Sequence, residues 1–251
     1  MASTDVYAEK RSIKLLVFVW AITSVLGICV VIFAHHLLPH MLPVAASPLA
    51  RDQDFTIALF SAVAVPVAML VWVVAAYSVI MGGSKEMPTE EGPRIHGNIK
   101  VQIAWLGTSA LLCVGLIVYG LALLPSIYTP GAGRNLVVDV TGQQWQWTFS
   151  YPGYGKITTT SLELPVGVPV TFDVTSVDVD HSFWIPSLGV KVDANPGQVT
   201  TSYVTADVAG TYVVRCAELC GLFHAYMQAP VHVVSDSTFN SWIASMQSVH
   251  A

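Results

Sequence analysis

Two thiols, an imidazole and a thioether fall within twelve residues of this chain, in the run Cys216-Ala217-Glu218-Leu219-Cys220-Gly221-Leu222-Phe223-His224-Ala225-Tyr226-Met227. A second imidazole, His181, lies upstream in Asp178-Val179-Asp180-His181-Ser182-Phe183. Soft sulfur combined with imidazole selects copper, zinc or iron over magnesium or calcium. One cysteine, two histidines and a methionine make a blue-copper ligand set, which Cys220, His181, His224 and Met227 supply. Cys216, four residues before Cys220, adds a second thiolate. Two facing thiolates can each bridge two copper ions. His181 and His224 then cap the two metals, and Met227 and a backbone carbonyl fill weak axial positions. Metal-bound thiolates are deprotonated, because the cation's charge outweighs the cost of losing the proton. Such a binuclear centre passes single electrons. The competing reading of the cysteine pair is a disulfide, for which the spacing alone is suitable.

The elements that must position these residues divide the chain in two. It has 251 residues, 53% hydrophobic and 11% charged, against roughly 25% charged in a soluble protein. The deficit is concentrated in three uncharged runs, Leu15 to Ala34, Phe55 to Met81 and Val101 to Leu124. Each is long enough to cross ~30 Å of hydrocarbon as a helix. Pro66 falls inside the second run, where a membrane helix tolerates it if neighbours satisfy the freed backbone groups. Pro125, Pro130, Gly131 and Gly133 then mark a boundary. Beyond it come alternating segments such as Asn135 to Thr141, Val168 to Val174 and Thr211 to Arg215. They read as strands of a sandwich or Greek-key barrel. Phe239, Trp242, Ile243 and Met246 recur at helical spacing in Ser237 to Val249, with Ser237 as the expected N-cap. The span cysteines, Cys29 and Cys113, read as buried small residues.

Lys10, Arg11 and Lys14 precede the first run, and Lys85, Arg94 and Lys100 lie between the second and third. Only Arg51 lies between the first and second. The positive-inside rule therefore puts the N-terminus and the 82–100 loop in the cytoplasm and the strand-rich part outside, periplasmic in a bacterium. The first run also reads as a secretion signal, with Val44-Ala45-Ala46 as the cleavage site. Its length of 20 apolar residues favours a retained signal-anchor. His35, His36 and His40 sit just beyond it and read as an interfacial loop.

At the cysteine- and histidine-bearing residues the chain resembles subunit II of the haem-copper oxidases in its cytochrome c oxidase form. His181, Cys216, Glu218, Cys220, His224 and Met227 match that family's metal-site residues, including the gap between His181 and Cys216. The flanking Thr141-Gly142-Gln143-Gln144-Trp145-Gln146-Trp147 and Ile185-Pro186-Ser187-Leu188-Gly189-Val190-Lys191-Val192-Asp193 match as well. The resemblance runs from about Phe55 to the C-terminus. It implies a membrane-anchored all-β protein, with three N-terminal transmembrane helices followed by a cupredoxin-like Greek-key β-barrel domain. The divisions are 1–54 for the first span and a periplasmic loop, 55–124 for a helical hairpin, and 125–251 for the copper domain. Family members commonly keep two spans after a removed signal, so three spans here are a departure.

The resemblance also implies roles. The binuclear copper takes electrons from a periplasmic cytochrome c or small copper protein and passes them to haem in subunit I, where oxygen is reduced and protons are moved. The Glu218 carbonyl is a weak copper ligand, and its carboxylate binds a magnesium shared with subunit I; a hard carboxylate suits that ion. Trp145 is the point where electrons enter. If the strand is regular, Trp147 faces the same side as Trp145, and only a bulge or partial exposure makes one core and the other surface. Asp178 and Asp193 match acidic positions that steer a basic cytochrome. Yet Arg134 to the end carries only nine Asp and Glu against four Lys and Arg, so the docking face is mildly acidic. Gln102 stands where many relatives have a glutamate that admits protons. An amide cannot carry a titrating proton at neutral pH, which leaves His96, Glu90 and Glu91 as ionisable neighbours. Partners are other oxidase subunits and the bacterial inner membrane, with no nucleic acid. Quinol-oxidising relatives lack the copper ligands. A copper-delivery or redox-sensing thiol protein has no need of Met227, Glu218 and His181 together.

Overall fold

The structure is a computed structural model describing residues 2–34, 43–81, 97–155 and 157–250. His35, His36, His40, Glu90, Glu91 and His96 lie outside the described residues. Among the described residues three long helices come first: α1 (Ala2–Ile32), α2 (Pro48–Met81) and α3 (Ile99–Tyr128). The stretches Ile13–Ile32, Pro48–Ile80 and Ile99–Tyr128 are each long enough, and on average apolar enough, to cross a membrane. Cys29 and Cys113 lie exposed on the faces of α1 and α3, not in a buried interior as expected. α2 begins earlier than its uncharged run. Ser47 caps it, its hydroxyl accepting from the Ala50 N–H at 2.9 Å, and Pro48 takes the first helical position, where no backbone donor is needed. Arg51, Asp52 and Asp54 therefore lie within the helix, ahead of its apolar part. Beside Pro66, the Trp20 indole N–H donates to the Pro66 carbonyl at 2.7 Å. A Cβ on Gly27 would stand 2.7 Å from Val65 Cγ1, so α1 and α2 touch closely there. The Asn98 side chain caps α3 by accepting from the Lys100 and Val101 N–H groups, and the exposed Gln102 donates its main-chain N–H to the Asn98 carbonyl at 3.0 Å.

The other unit comprises residues 43–54 and 112–251. Its ten strands are β1 (Leu136–Gln143), β2 (Gln146–Tyr151), β3 (Ile157–Thr159), β4 (Leu162–Pro165), β5 (Pro169–Ser176), β6 (His181–Ile185), β7 (Val190–Ala194), β8 (Thr200–Thr205), β9 (Gly210–Cys216) and β10 (Gln228–Val234). They form two five-stranded sheets, ordered β3-β2-β1-β5-β8 and β4-β10-β9-β6-β7. Both sheets are mixed: β1 runs parallel to β5, and β4 parallel to β10. β1 shows the expected alternation, with Leu136, Val138, Val140 and Gly142 buried and the residues between them less so.

Phe183 on β6 is the hub of the interior. Its ring meets Trp147 at 5.5 Å, Phe149 at 6.3 Å and Phe172 at 5.2 Å, all edge-on, the geometry the ring quadrupoles favour. The C-terminal helix α4 (Asp236–His250) lays Phe239 and Ile243 into the same core. Its N-cap is Ser235, whose hydroxyl accepts from the Thr238 N–H, whereas Ser237 lies inside the helix. The serine pair made the two positions indistinguishable by residue type.

Residues 43–54 are sewn onto the sheets. The Ala46 N–H donates to Ser187 O at 2.7 Å, and the Asp207 N–H donates to Ala46 O at 3.0 Å. The Ser47 hydroxyl donates to Leu188 O, and Gln53 Nε2 to Gly189 O. Arg51 pairs with Asp207. A Cβ on Gly189, whose φ is +68°, would stand 2.9 Å from the Ala50 backbone, so only glycine fits that crossing.

Phe183→Ala should destabilise the β unit by about 3–5 kcal/mol, the usual cost of emptying a buried aromatic site. Denaturant unfolding followed by near-ultraviolet circular dichroism should show the lowered midpoint.

Candidate metal centre

The register of two neighbouring strands creates the site. β6 pairs with β9 so that Phe183 stands opposite Cys216. His181, two residues before Phe183, points to the same inner face and arrives at the end of β6 just where β9 ends in Cys216. The Ala217 N–H donates to Ser182 O at 2.9 Å, carrying the pairing one residue further. The chain then loops through Cys220, turns at Gly221 with φ +114°, and winds a single 3-10 turn over His224–Tyr226. It returns so that the Cys216 N–H donates to Met227 O at 3.1 Å. That bond ties the loop ends together.

The result is a compact set of soft donors. Cys216 Sγ and Cys220 Sγ are 3.7 Å apart. Cys216 Sγ lies 3.8 Å from His181 Nδ1, and Cys220 Sγ lies 3.6 Å from His224 Nδ1. Met227 Sδ is 3.8 Å from Cys220 Sγ, and the Glu218 carbonyl oxygen is 3.2 Å from Cys216 Sγ. His181 and Met227 are 0% exposed, Cys220 3% and Cys216 8%, so solvent does not compete for these atoms. The thiols are free; a disulfide would hold the sulfurs about 2.0 Å apart. A separation of 3.6–3.8 Å between ligand atoms suits ions whose bonds to sulfur and nitrogen are roughly 2.0–2.3 Å. Each sulfur has its own imidazole, and the two pairs lie side by side.

Surrounding groups set the chemistry of these donors. His181 Nε2 lies 2.9 Å from Asp178 Oδ1. An ionised carboxylate only accepts, so His181 donates from Nε2 and turns Nδ1 toward Cys216. This is the carboxylate–histidine arrangement that orients metal ligands. Burial works against ionisation of Asp178. Hydrogen bonds from the Gln144 N–H, His181 and the Val179 N–H outweigh it and bring the carboxyl down to about 2. Burial, followed by the bond to Cys216, pushes the Cys220 thiol up to about 12; a coordinated cation reverses that balance.

Every ligand candidate read from the sequence except the Glu218 carboxylate converges here. That carboxylate is on an exposed side chain, while the Glu218 main chain faces the sulfur. Trp145 lies in the turn between β1 and β2, not in the strand, so two-residue alternation never applied to it. Trp147, in β2, is buried in the core, and Trp145 is half-buried over the metal loop. The Trp145 indole N–H donates to Cys220 O at 3.2 Å, and its ring meets Phe223 at 4.8 Å. Sequence reasoning passed over Gln144, whose side-chain Nε2 donates to the same Cys220 carbonyl at 2.7 Å. Its place at a hairpin turn beside Trp145 was the available signal.

The profile of a family described as "Cytochrome C oxidase subunit II, periplasmic domain" matches residues 159–234, which enclose the whole donor set. The chain belongs to the cytochrome c oxidase subunit II family. It is similar to cytochrome c oxidase subunit 2 of Synechocystis, 28% identical over 82% of this chain and 75% of that protein. It is also similar to quinol oxidase subunit 2 of Bacillus subtilis, 35% identical over 62% of this chain and 50% of that one. Among solved structures, it resembles the periplasmic domain of subunit II of cytochrome oxidase of Bradyrhizobium japonicum, with 32% identity, 46% of this chain, 96% of that chain and a TM-score of 0.45. Overall similarity to subunit II proteins thus spans relatives named for cytochrome c and for quinol.

Gly221→Ala should cost about 1–3 kcal/mol, because alanine is strained in that backbone region and its Cβ would stand 3.0 Å from Gln144 Nε2 and 3.4 Å from Trp145 Cζ2. Gly153→Ala, which meets nothing within 4 Å, is the control. Urea unfolding of the metal-free chain should separate them.

Proposed function

We propose that this chain is the electron-accepting subunit II of a respiratory cytochrome c oxidase. The observation that carries the reading is the pair of thiols 3.7 Å apart, each with its own imidazole Nδ1. His181, Cys216, Cys220, His224, Met227 and the Glu218 carbonyl would hold two copper ions, which supply a one-electron store shared between them. The residues around them do the positioning. Asp178 fixes the His181 tautomer. The Cys216–Met227 backbone bond fixes the loop length, and a rigid loop restricts geometric change between redox states. Trp145 takes electrons from a donor and, through its N–H bond to Cys220 O, stands in direct contact with a ligand residue.

The quinol alternative is disfavoured by the same donor set, since the family resemblance implies that quinol-oxidising members lack it. In this reading residues 1–54, 55–124 and 125–251 serve as first span with periplasmic loop, helical hairpin and copper domain. The helices anchor the subunit in the bacterial inner membrane with the copper domain on the periplasmic side. The exposed Glu218 carboxylate faces outward, suited to a magnesium shared with subunit I, whose haem receives the electron.

The donor is a periplasmic cytochrome c or small copper protein that docks mainly through apolar contact. Leu219, Leu222 and Tyr226, on the metal loop itself, are 78%, 82% and 80% exposed. The acids are few and partly committed. Asp178 binds His181 and Gln144, Asp207 binds Arg51, and Asp236 binds Arg134.

The purified oxidase should contain two coppers in this chain, and its mixed-valence state should show electron-spin resonance hyperfine structure from both nuclei. A single-copper pattern would sink the reading. Cys216→Ser should abolish the two-copper pattern.

Trp145→Ala should slow electron uptake from the donor while leaving the copper spectrum intact; an unchanged uptake rate would move the role elsewhere. Turnover with a soluble donor should fall only moderately from low salt to physiological ionic strength, where exposed charges are screened beyond about 8 Å. A steep fall would contradict apolar docking.

A further inference from the structure

Both ligand-bearing segments of the metal centre are gripped by one residue that is not itself a ligand. Gln144 donates its side-chain Nε2 to the Cys220 carbonyl at 2.7 Å. Through its main-chain N–H it donates to Asp178 Oδ2 at 2.7 Å, and Asp178 Oδ1 in turn holds His181 Nε2 at 2.9 Å. Gln144 therefore connects the end of β6 to the metal loop from the turn between β1 and β2, an element of the opposite sheet. We propose that Gln144 is a positioning residue of the copper centre, fixing the separation between the His181 and Cys220 ligands.

Three observations support this. The Cys220 carbonyl accepts two donors, Gln144 Nε2 and Trp145 Nε1, which fixes its direction and hence the orientation of the residue that carries Sγ. Gly221 follows with a left-handed backbone, and a Cβ there would press on Gln144 Nε2; the loop has given up a side chain where the amide sits. On the other arm, a Cβ on Gly142 would stand 3.1 Å from His181 Cδ2 and 3.1 Å from Trp147 Cζ3. The His181 ring is thus packed against β1 just before the turn that carries Gln144. Hydrogen-bonding partners of ligand residues commonly alter metal affinity by about 10- to 100-fold when removed.

The inference rests on the copper reading, and its test is arranged so that the two fail separately. Copper count in the unaltered oxidase tests the reading; a series at Gln144 in the same assembled oxidase tests the inference. Every non-proline variant keeps the main-chain bond to Asp178, so the series isolates the side-chain arm. Gln144→Leu removes the donor at similar size, Gln144→Glu replaces it with an acceptor facing a carbonyl, and Gln144→Lys restores a donor. The readouts are copper retention against a chelator and the mixed-valence electron-spin resonance spectrum, neither of which involves the electron donor.

Retention should fall roughly tenfold in Gln144→Leu and further in Gln144→Glu, with altered hyperfine structure in both. Gln144→Lys should recover most of the unaltered behaviour. If Gln144→Leu keeps unaltered retention and spectrum, the positioning role is wrong, even if donor turnover changes. If Gln144→Lys fails as badly as Gln144→Leu, side-chain shape rather than hydrogen-bond donation holds the loop, and the proposal is likewise overturned.

Discussion

The pairing of β6 with β9 in the register that sets Phe183 against Cys216 is the constraint on which the remaining site geometry hangs. Strand side chains alternate faces, so a slip of one residue would turn His181 away from the two sulfurs and put Ser182, which lies buried on the other face, in its place. The register is guarded by packing. Phe183 is held among Trp147, Phe149 and Phe172, so a slip would also expose the hub of the core. Stability and ligand placement are thereby the same requirement. The hydrophobic term that folds the sandwich also decides which histidine nitrogen looks at which sulfur.

Much of this arrangement is written in local sequence. The alternating runs locate β1, β5 and β9, because period-two burial is a property of each strand by itself. The cysteine loop is equally legible, since five of its donor groups lie within twelve residues and depend on one turn. What the sequence hides is non-local or conformational. Nothing in residues 43–54 announces that Ala46 and Ser47 are fully buried against the Ser187–Leu188 turn. Small residues there suit a cleavage site, a loop or a packed crossing alike. Trp145 shows the second kind of limit. Treated as a strand residue it competes with Trp147 for one face, whereas the turn frees it to lie over the metal loop. The parallel pairings of β1 with β5 and β4 with β10 belong to the same category, because alternation carries no information on strand direction.

Charge and polarity around the centre follow a consistent division. Buried polar groups serve the ligands: His181 is satisfied by Asp178, and the Cys220 carbonyl by two N–H donors. A carboxylate held by hydrogen bonds from Gln144, Val179, His181 and Ser176 stays ionised despite its partial desolvation, which keeps one fixed negative charge beside the ligand ring rather than a titrating one. The exposed surface nearby is apolar instead, with Leu219, Leu222, Phe223 and Tyr226 presented outward. Exposed apolar groups at this density mark contact surfaces. Electrostatic steering chiefly raises the association rate; under the proposed function, a face with few uncommitted acids would leave recognition of the donor to shape and desolvation.

The first turn of α2, within residues 43–54, adds a support to the strand that carries His181. The first turns of α2 carry Arg51, Asp52 and Asp54, and of these Arg51 bonds Asp207 beside the strand β8. Ser47, at the cap, bonds Leu188, and Gln53 bonds Gly189. The same few residues thus start one helix and brace the turn between β6 and β7. β6 is the strand that carries His181. A support reaching β6 from its far end, with Asp178 and Gln144 holding its near end, leaves little freedom for the imidazole. For a centre that changes charge without changing shape, restraint at both ends of the ligand strand is the physical requirement, and glycine at 189 is what lets the helix come close enough to supply it.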